Sequence, residues 1–238
     1  MTTDELWPGG PRFTQDDNTF RLGTDSVLLS HFADAKGAAY ACDLGCGSGI
    51  ISILMAWDSP KLHVDGIEIQ PDAVNLAREN AAINSLSGRV NIIEGDIVRH
   101  REFLAAGAYD LVVANPPYFA PGRGRSSQSG STAVSREERA CTLEDICAAA
   151  AYLTRWGGKF ALVHRPERLA EVIRALSAAG LEPKRLRFVQ HRAASAPNLV
   201  LIESRRGGNP SLTVEPPLIL TNEDGSDTDE VRKIYRRS

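Results

Sequence analysis

The segment that most restricts how this chain folds is Ala41-Cys42-Asp43-Leu44-Gly45-Cys46-Gly47-Ser48-Gly49-Ile50-Ile51. A short apolar run enters glycines at 45, 47 and 49, and an apolar helix-forming stretch, Ile50 to Trp57, leaves them. Strand, tight turn and helix in succession open a parallel α/β sheet, because a parallel neighbour is reached only through a crossover, usually a helix. The glycines let the backbone bend sharply and let a ligand approach closely. Two ligand classes are excluded. A dinucleotide loop has a glycine where Ile50 stands, and a phosphate-gripping loop needs a Gly-Lys-Ser/Thr that does not follow. What fits is a ligand with an amino-acid tail and a nucleoside, with Asp43 placed to bind its amine near the strand end.

The next strands repeat the pattern of an acidic side chain at the carboxyl end. His63 to Ile69 reads as a strand with Glu68 near its end, where an acidic side chain can hold both hydroxyls of a ribose. Pro71 suits the first turn of a helix running to about Asn84, with Ala73, Leu76, Ala77 and Ala81 as its core stripe. Val90 to Asp96 reads as a third strand, Asp96 being placed to accept from an adenine amino group. One acidic strand end is as easily a helix cap or a solvated charge. Three in register, Asp43, Glu68 and Asp96, mark a cofactor edge.

The apolar run Leu111 to Ala114 delivers Asn115-Pro116-Pro117-Tyr118 to that same edge, where open α/β sheets bind ligands. The prolines fix φ and remove two backbone donors, leaving the carbonyls of Asn115 and Pro116 available to an outside donor. A planar –NH₂ group can give its two hydrogens to the Asn115 amide oxygen and the Pro116 carbonyl, with Tyr118 stacking on the attached ring. The plain alternative is a proline-rich strand exit. Upstream, Thr24 or Asp25 is placed to cap a helix whose apolar face is Val27, Leu28 and Phe32, with His31 a core or boundary residue.

These residues resemble the class I S-adenosylmethionine-dependent methyltransferases, and Asn-Pro-Pro-Tyr is similar to the motif of those that methylate adenine N6, guanine N2 or glutamine N5. Phe20 to Phe32, Asp43 to Gly49, Asn115 to Phe119 and Pro197 to Ile202 together look most like the bacterial family that methylates adenine 37 of valine tRNA. The resemblance implies an α/β, Rossmann-like fold, with a seven-stranded, mostly parallel sheet closed by an antiparallel C-terminal hairpin. It implies S-adenosylmethionine as cofactor, bound by Thr24, Asp25, Asp43, Gly45, Gly47, Gly49, Glu68, Asp96 and Asn115. It further implies direct, metal-free transfer of a methyl group to an exocyclic amine, adenine N6 in tRNA, with Asn115, Pro116, Pro117 and Tyr118 as catalytic residues. Protein-glutamine methyltransferases share the motif but carry a helical domain ahead of the glycine turn, whereas only some forty residues precede it here. A guanine-N2 enzyme acting on ribosomal RNA and a nucleotide-binding module without catalysis stay open. The intact Asn115-Pro116-Pro117-Tyr118 argues against the latter.

In the second half, Ala120 to Val134 is rich in Gly, Ser and Pro, carries Arg123 and Arg125, and reads as a lid, a substrate clamp or a disordered loop. A helix Leu143 to Arg155 stopped by Gly157-Gly158, a strand Lys159 to Val163 and a helix Glu167 to Ala179 follow. Strands Leu186 to Gln190 and Leu199 to Glu203 suit an antiparallel hairpin, and Val214 to Leu220 a short terminal strand. Residues 1–19 are expected to be a flexible lead, 20–220 the methyltransferase domain and 221–238 a tail that frays. Charge is unevenly spread: residues 1–118 carry 8 basic and 16 acidic side chains, residues 119–238 carry 19 and 14. This asymmetry suggests a nucleic-acid-facing surface on the basic second half and the loop after Tyr118; the resemblance implies that the RNA is tRNA, and no obligate protein partner is indicated. With 42% hydrophobic and 24% charged residues, the chain suits one soluble domain. A polar N-terminus without a membrane-length apolar run points to the cytoplasm. Four cysteines without a C-x-x-C pair give no zinc or disulfide framework.

Overall fold

The structure, a computed structural model, describes residues 2–15, 23–116 and 141–237. Pro117 to Tyr118 and the Gly/Ser-rich segment with Arg123 and Arg125 lie outside the described residues. Residues 2–15 of the lead are ordered into secondary structure rather than irregular. They form an antiparallel hairpin, β1 (Thr2–Glu5) and β2 (Arg12–Gln15), with Pro8-Gly9-Gly10-Pro11 in its turn. Trp7 and Phe13 are buried, and a Cβ on Gly10 would fall 2.3 Å from Trp7 Nε1, so only glycine lets the indole lie there.

Helix α1 (Thr24–Phe32) follows, with Gly23 at its N-cap and Thr24 and Asp25 inside the first turn, so neither caps it as expected. Then strands and helices alternate: β3 (Tyr40–Leu44), α2 (Ile50–Asp58), β4 (His63–Glu68), α3 (Pro71–Ile83), β5 (Val90–Glu94), a 3-10 helix over Ile97–Glu102, and β6 (Tyr109–Ala114). Helix α4 (Leu143–Leu153) opens with a capping box between Thr142 and Asp145. It ends at Leu153, and β7 (Thr154–His164) begins at once, earlier than expected. Gly157-Gly158 therefore lies inside a strand rather than stopping a helix. The reason is steric: a Cβ on Gly158 would come within 3.0 Å of the Asp110 carbonyl on the neighbouring strand. Helix α5 (Leu169–Ala178) leads to β8 (Leu181–Gln190) and β9 (Pro197–Arg206), both longer than the sequence pattern suggests.

The sheet order is β8-β9-β7-β6-β3-β4-β5, parallel throughout except β9, which runs antiparallel to both of its neighbours. These seven long strands match the expected class I arrangement. Two-residue strands β10 (Thr213–Val214) and β11 (Leu218–Ile219) extend the edge beside β8, interrupted by Pro216 and Pro217, which have no N–H to pair. Residues alternate between faces. Leu111 and Val113 join the core under α1, α2 and α3, while Val112 and Ala114 face α4 and α5.

The tail, expected to fray, carries a helix. Helix α6 (Asp229–Ile234) is capped by Thr228, buries Val231 and Ile234, and is tied to β8 by Arg187 donating to Glu230 at 2.7 and 2.8 Å. Tyr235 is also buried.

Candidate functional site

The glycine turn after β3 is built from left-handed backbone: φ is +73° at Gly45, +54° at Gly47 and +81° at Gly49. Side chains rarely adopt this region, so the sequence folds this way here because it has no Cβ at these positions. The turn is fastened to the end of β4. Gly45 N and Cys46 N both donate to the Ile67 carbonyl at 2.9 Å, and Gly47 N donates to Glu68 Oε2 at 3.0 Å. Glu68 Oε1 accepts from Ile69 N and Gln70 N, each at 2.9 Å. Glu68 is thus buried and clamps the turn, yet a carboxylate has about four acceptor sites, and these three bonds leave capacity for a ligand hydroxyl.

Asp43 is fully buried at the root of the turn. Its Oδ2 accepts from Ser52 Oγ at 2.7 Å and Ser52 N at 3.2 Å, both at the start of α2. Its Oδ1 has no hydrogen-bond partner among the described residues. Burial pushes the Asp43 carboxyl up to about 7; the Ser52 bonds oppose the rise and the charge of Glu68 adds to it. A buried acceptor without a donor is costly, and a cationic amine placed against Oδ1 would satisfy it and restore the charge. The amino-acid tail of an S-adenosyl ligand carries such an amine, so this donor set fits it. The thiols of Cys42 and Cys46 are pushed up by burial and add no charge.

Leu44 of β3 pairs with Ala114 of β6, so Asn115 emerges next to Gly45. Asn115 Nδ2 donates to Ser26 Oγ on α1 at 3.2 Å, and Pro116 is buried behind it. Asp96 lies at the end of β5, one strand beyond Glu68, and its Oδ1 accepts from Val98 N at 2.9 Å as the cap of the 3-10 helix. Asp96 therefore acts as a cap through Oδ1. Thr24 and Asp25 stand in the α1 turn that carries Ser26, Thr24 being exposed.

Asp43, Gly45, Gly47, Gly49 and Glu68 are thus brought into one cluster with Asn115, and Asp96 extends it along the edge. Four neighbours escaped the sequence reading. Ser26 and Ser52 touch Asn115 and Asp43 only through the fold, and no sequence signal marks them. Ile69 and Val98 were findable. Each is an aliphatic residue just past an acidic strand end, and they are 57% and 41% exposed, where a polar residue would be ordinary. His164, at the end of β7, accepts from Arg165 N at 2.8 Å through Nδ1, and burial with the nearby Arg168 charge lowers its pKa to about 4.

The methyltransferase small domain model matches residues 18–176. A tRNA1(Val) (adenine(37)-N6)-methyltransferase of Tolumonas auensis is 31% identical over 224 residues, 91% of either chain. The protein of that name from Aeromonas hydrophila is 33% identical over 216 residues, 90% of this chain and 88% of its own. The crystal structure of a predicted O-methyltransferase, Atu636 from Agrobacterium tumefaciens, shares the fold with a TM-score of 0.75 at 22% identity, over 90% of this chain and 96% of that one. With a glycine turn, three acidic strand ends and Asn115-Pro116 on one sheet edge, this chain belongs to the methyltransferase small domain family and, within it, stands with the tRNA1(Val) (adenine(37)-N6)-methyltransferases.

Proposed function

We propose that this protein methylates N6 of an adenine in tRNA, using S-adenosylmethionine, and that the base is the one named for its relatives, adenine 37 of tRNA1(Val). The observation that carries the reading is the emergence of Asn115-Pro116 directly alongside the glycine turn that holds the orphaned Asp43 oxygen. S-Adenosylmethionine, when bound, supplies an electrophilic methyl group. Asp43 Oδ1 would hold its amine, Glu68 a ribose hydroxyl and Asp96 its adenine amino group, with Ile69 and Val98 beside the purine. Gly45, Gly47 and Gly49 admit it closely, and Thr24 and Asp25 border the site from α1.

The exocyclic nitrogen of adenine is a poor nucleophile because its lone pair is delocalised into the ring. Asn115 Oδ1 and the Pro116 carbonyl accept its two N–H groups and so localise the lone pair on the reacting nitrogen. These bonds strengthen as positive charge develops there, which is where binding energy accelerates chemistry. The proton leaves after transfer, to water. The Nδ1 of His164 is already engaged by the Arg165 N–H. From the motif, Pro117 would stiffen the strand exit and Tyr118 would stack on the splayed base.

For the RNA, several of the basic residues first considered are committed within the protein. Arg168, Arg185 and Arg187 pair with Glu171, with Glu203 and Glu215, and with Glu230. Arg205 and Arg206 donate to main-chain carbonyls. We assign phosphate contact to Arg123, Arg125 and Arg139, on their charge and their place in the sequence after the motif. No helix among the described residues is long and apolar enough to cross a membrane. A cytoplasmic location is part of the same proposal, since that is where a tRNA substrate would be met. The test is transfer of labelled methyl from S-adenosylmethionine to a tRNA1(Val) transcript and to total RNA, followed by nucleoside analysis. N6-methyladenine at position 37 is expected; N2-methylguanine, or label only in protein glutamine, would overturn the reading.

A further inference from the structure

We propose that Asn80 is a positioning residue for cofactor binding: its buried carboxamide holds the Ser48 carbonyl of the glycine turn and is itself held by β2, so that the docked hairpin and the occupied turn stabilise one another. The inference rests on the reading of that turn as the S-adenosylmethionine site. Strand β2 has one edge paired with β1 and another that no strand among the described residues covers. On that open edge Arg12 N donates to Asn84 Oδ1 and Thr14 N to Asn80 Oδ1, each at 2.8 Å, and the Arg12 carbonyl accepts from Asn84 Nδ2 at 2.7 Å. The spacing explains the fit. Residues four apart on a helix are separated by about 6 Å along its axis, and residues two apart on a strand by about 6.7 Å. Two carboxamides on neighbouring turns of α3 therefore supply what a third strand would.

Asn80 does more than Asn84. Its Nδ2 also donates to the Ser48 carbonyl at 3.0 Å, inside the turn. Its partners assign both ends of the amide, since a main-chain N–H only donates and a carbonyl only accepts. Asn80 is fully buried, where an unmade hydrogen bond is costly. Ser48 lies between two left-handed glycines, and the peptide joining it to Gly49 is free to flip because glycine tolerates either sign of φ. Two bonds hold that peptide: the Ser48 carbonyl accepts from Asn80, and Gly49 N donates to the Cys46 carbonyl at 2.9 Å. Helix α3 is close enough to impose this, as a Cβ on Gly49 would stand 3.2 Å from Ala77 Cβ. Glu68 thus fastens the turn through Gly47 N, and Asn80 fastens it through the Ser48 carbonyl. Because Thr14 N orients the Asn80 amide, the seated hairpin favours the turn that admits the cofactor. By reciprocity, an occupied turn favours the seated hairpin.

Calorimetric titration with S-adenosylhomocysteine tests this in the wild type, Asn80→Ala and Asn84→Ala, each well below its Tm. Asn80→Ala should weaken the ligand by about 3- to 10-fold, and should raise KM for S-adenosylmethionine while kcat at saturation is unchanged. Asn84→Ala removes the bonds to Arg12 but none to the turn, so it should lower Tm and leave affinity within about twofold of the wild type. Equal weakening in both variants would mean that the turn senses only a loosened hairpin, and would overturn the proposal. Wild-type affinity in Asn80→Ala would overturn it too. In the wild type, exchange of the Thr14 N–H, followed while the amides of β6 have not exchanged, reports local opening of the hairpin. Saturating S-adenosylhomocysteine should slow it by about 3- to 10-fold. An unchanged rate overturns the coupling, and this measurement stands even where Asn80→Ala fails to fold. Each of these failures leaves the cofactor reading in place. A wild type that does not bind S-adenosylhomocysteine overturns both.

Discussion

Replacing Asp43 by Asn tests the cofactor site through its pH dependence. In the unliganded protein the Asp43 carboxyl is raised from 3.8 to about 7, chiefly by burial. Its surroundings are Ser52, whose N–H and O–H favour the ionised form, the opposing carboxylate of Glu68, and the protonated thiols of Cys42 and Cys46. Because the folded pKa lies above the unfolded one, this group favours the fold most below pH 3.8, and that contribution is lost as pH rises to about 7. The shift sets an upper bound of about 4 kcal/mol on the loss. An ammonium at Oδ1 needs the ionised carboxylate, so it reverses the penalty. Between pH 6 and 8 the ionised fraction of a group titrating near 7 rises about tenfold, and affinity for S-adenosylhomocysteine should tighten by about the same factor. Asp43→Asn should abolish this dependence, weaken binding at pH 8 by about 1.5–3 kcal/mol, and remove the decline in unliganded stability between about pH 4 and 7. Calorimetric titrations at several pH values decide it. Titration of the ligand's own amine is common to both proteins, so the difference between them isolates Asp43. A flat wild-type profile, or an equal slope in Asp43→Asn, would refute the placing of the amine at Oδ1.

Glu68→Ala should weaken S-adenosylhomocysteine by about 1–3 kcal/mol and also lower Tm, since the N–H groups of Gly47, Ile69 and Gln70 lose their acceptor; unchanged affinity by calorimetry would remove Glu68 from the ribose site. Asn115→Ala should leave cofactor affinity nearly unaltered while the single-turnover rate falls about 10²–10³-fold, and retention of a near wild-type rate would discard the proposed active site. Asn80 lies wholly buried on α3, accepting from Thr14 N at 2.8 Å and donating to the Ser48 carbonyl at 3.0 Å. Asn80→Ala orphans both groups and should cost about 2–4 kcal/mol by urea unfolding, whereas a cost below about 0.5 kcal/mol would show that the hairpin does not depend on this link.

What the sequence determined by itself was whatever local physics controls. Left-handed glycines at 45, 47 and 49, the apolar runs that become β3 and β6, and the proline at the start of α3 act over a few residues, so their pattern alone specifies a parallel sheet with a ligand edge. The acidic ends Asp43, Glu68 and Asp96 were legible for the same reason: parallel strands put every carboxyl end on one edge. Contacts between distant segments were not legible. β1 and β2 look irregular in sequence because the hairpin is held by the amides of Asn80 and Asn84, which bind the main chain of Thr14 and Arg12 from α3. Gly157-Gly158 looks like a helix stop until the carbonyl of Asp110 shows why a glycine is needed inside β7. The tail becomes α6 because Val231, Ile234 and Tyr235 find an apolar surface assembled from elsewhere in the chain. Tertiary structure alone decided how each site residue is engaged: Glu68 clamping the turn, Asp43 holding one satisfied and one orphaned oxygen, and Ser26 meeting Asn115 across 89 positions. A side chain's type is written in the sequence, but its hydrogen-bond partners and its burial exist only once the chain has folded.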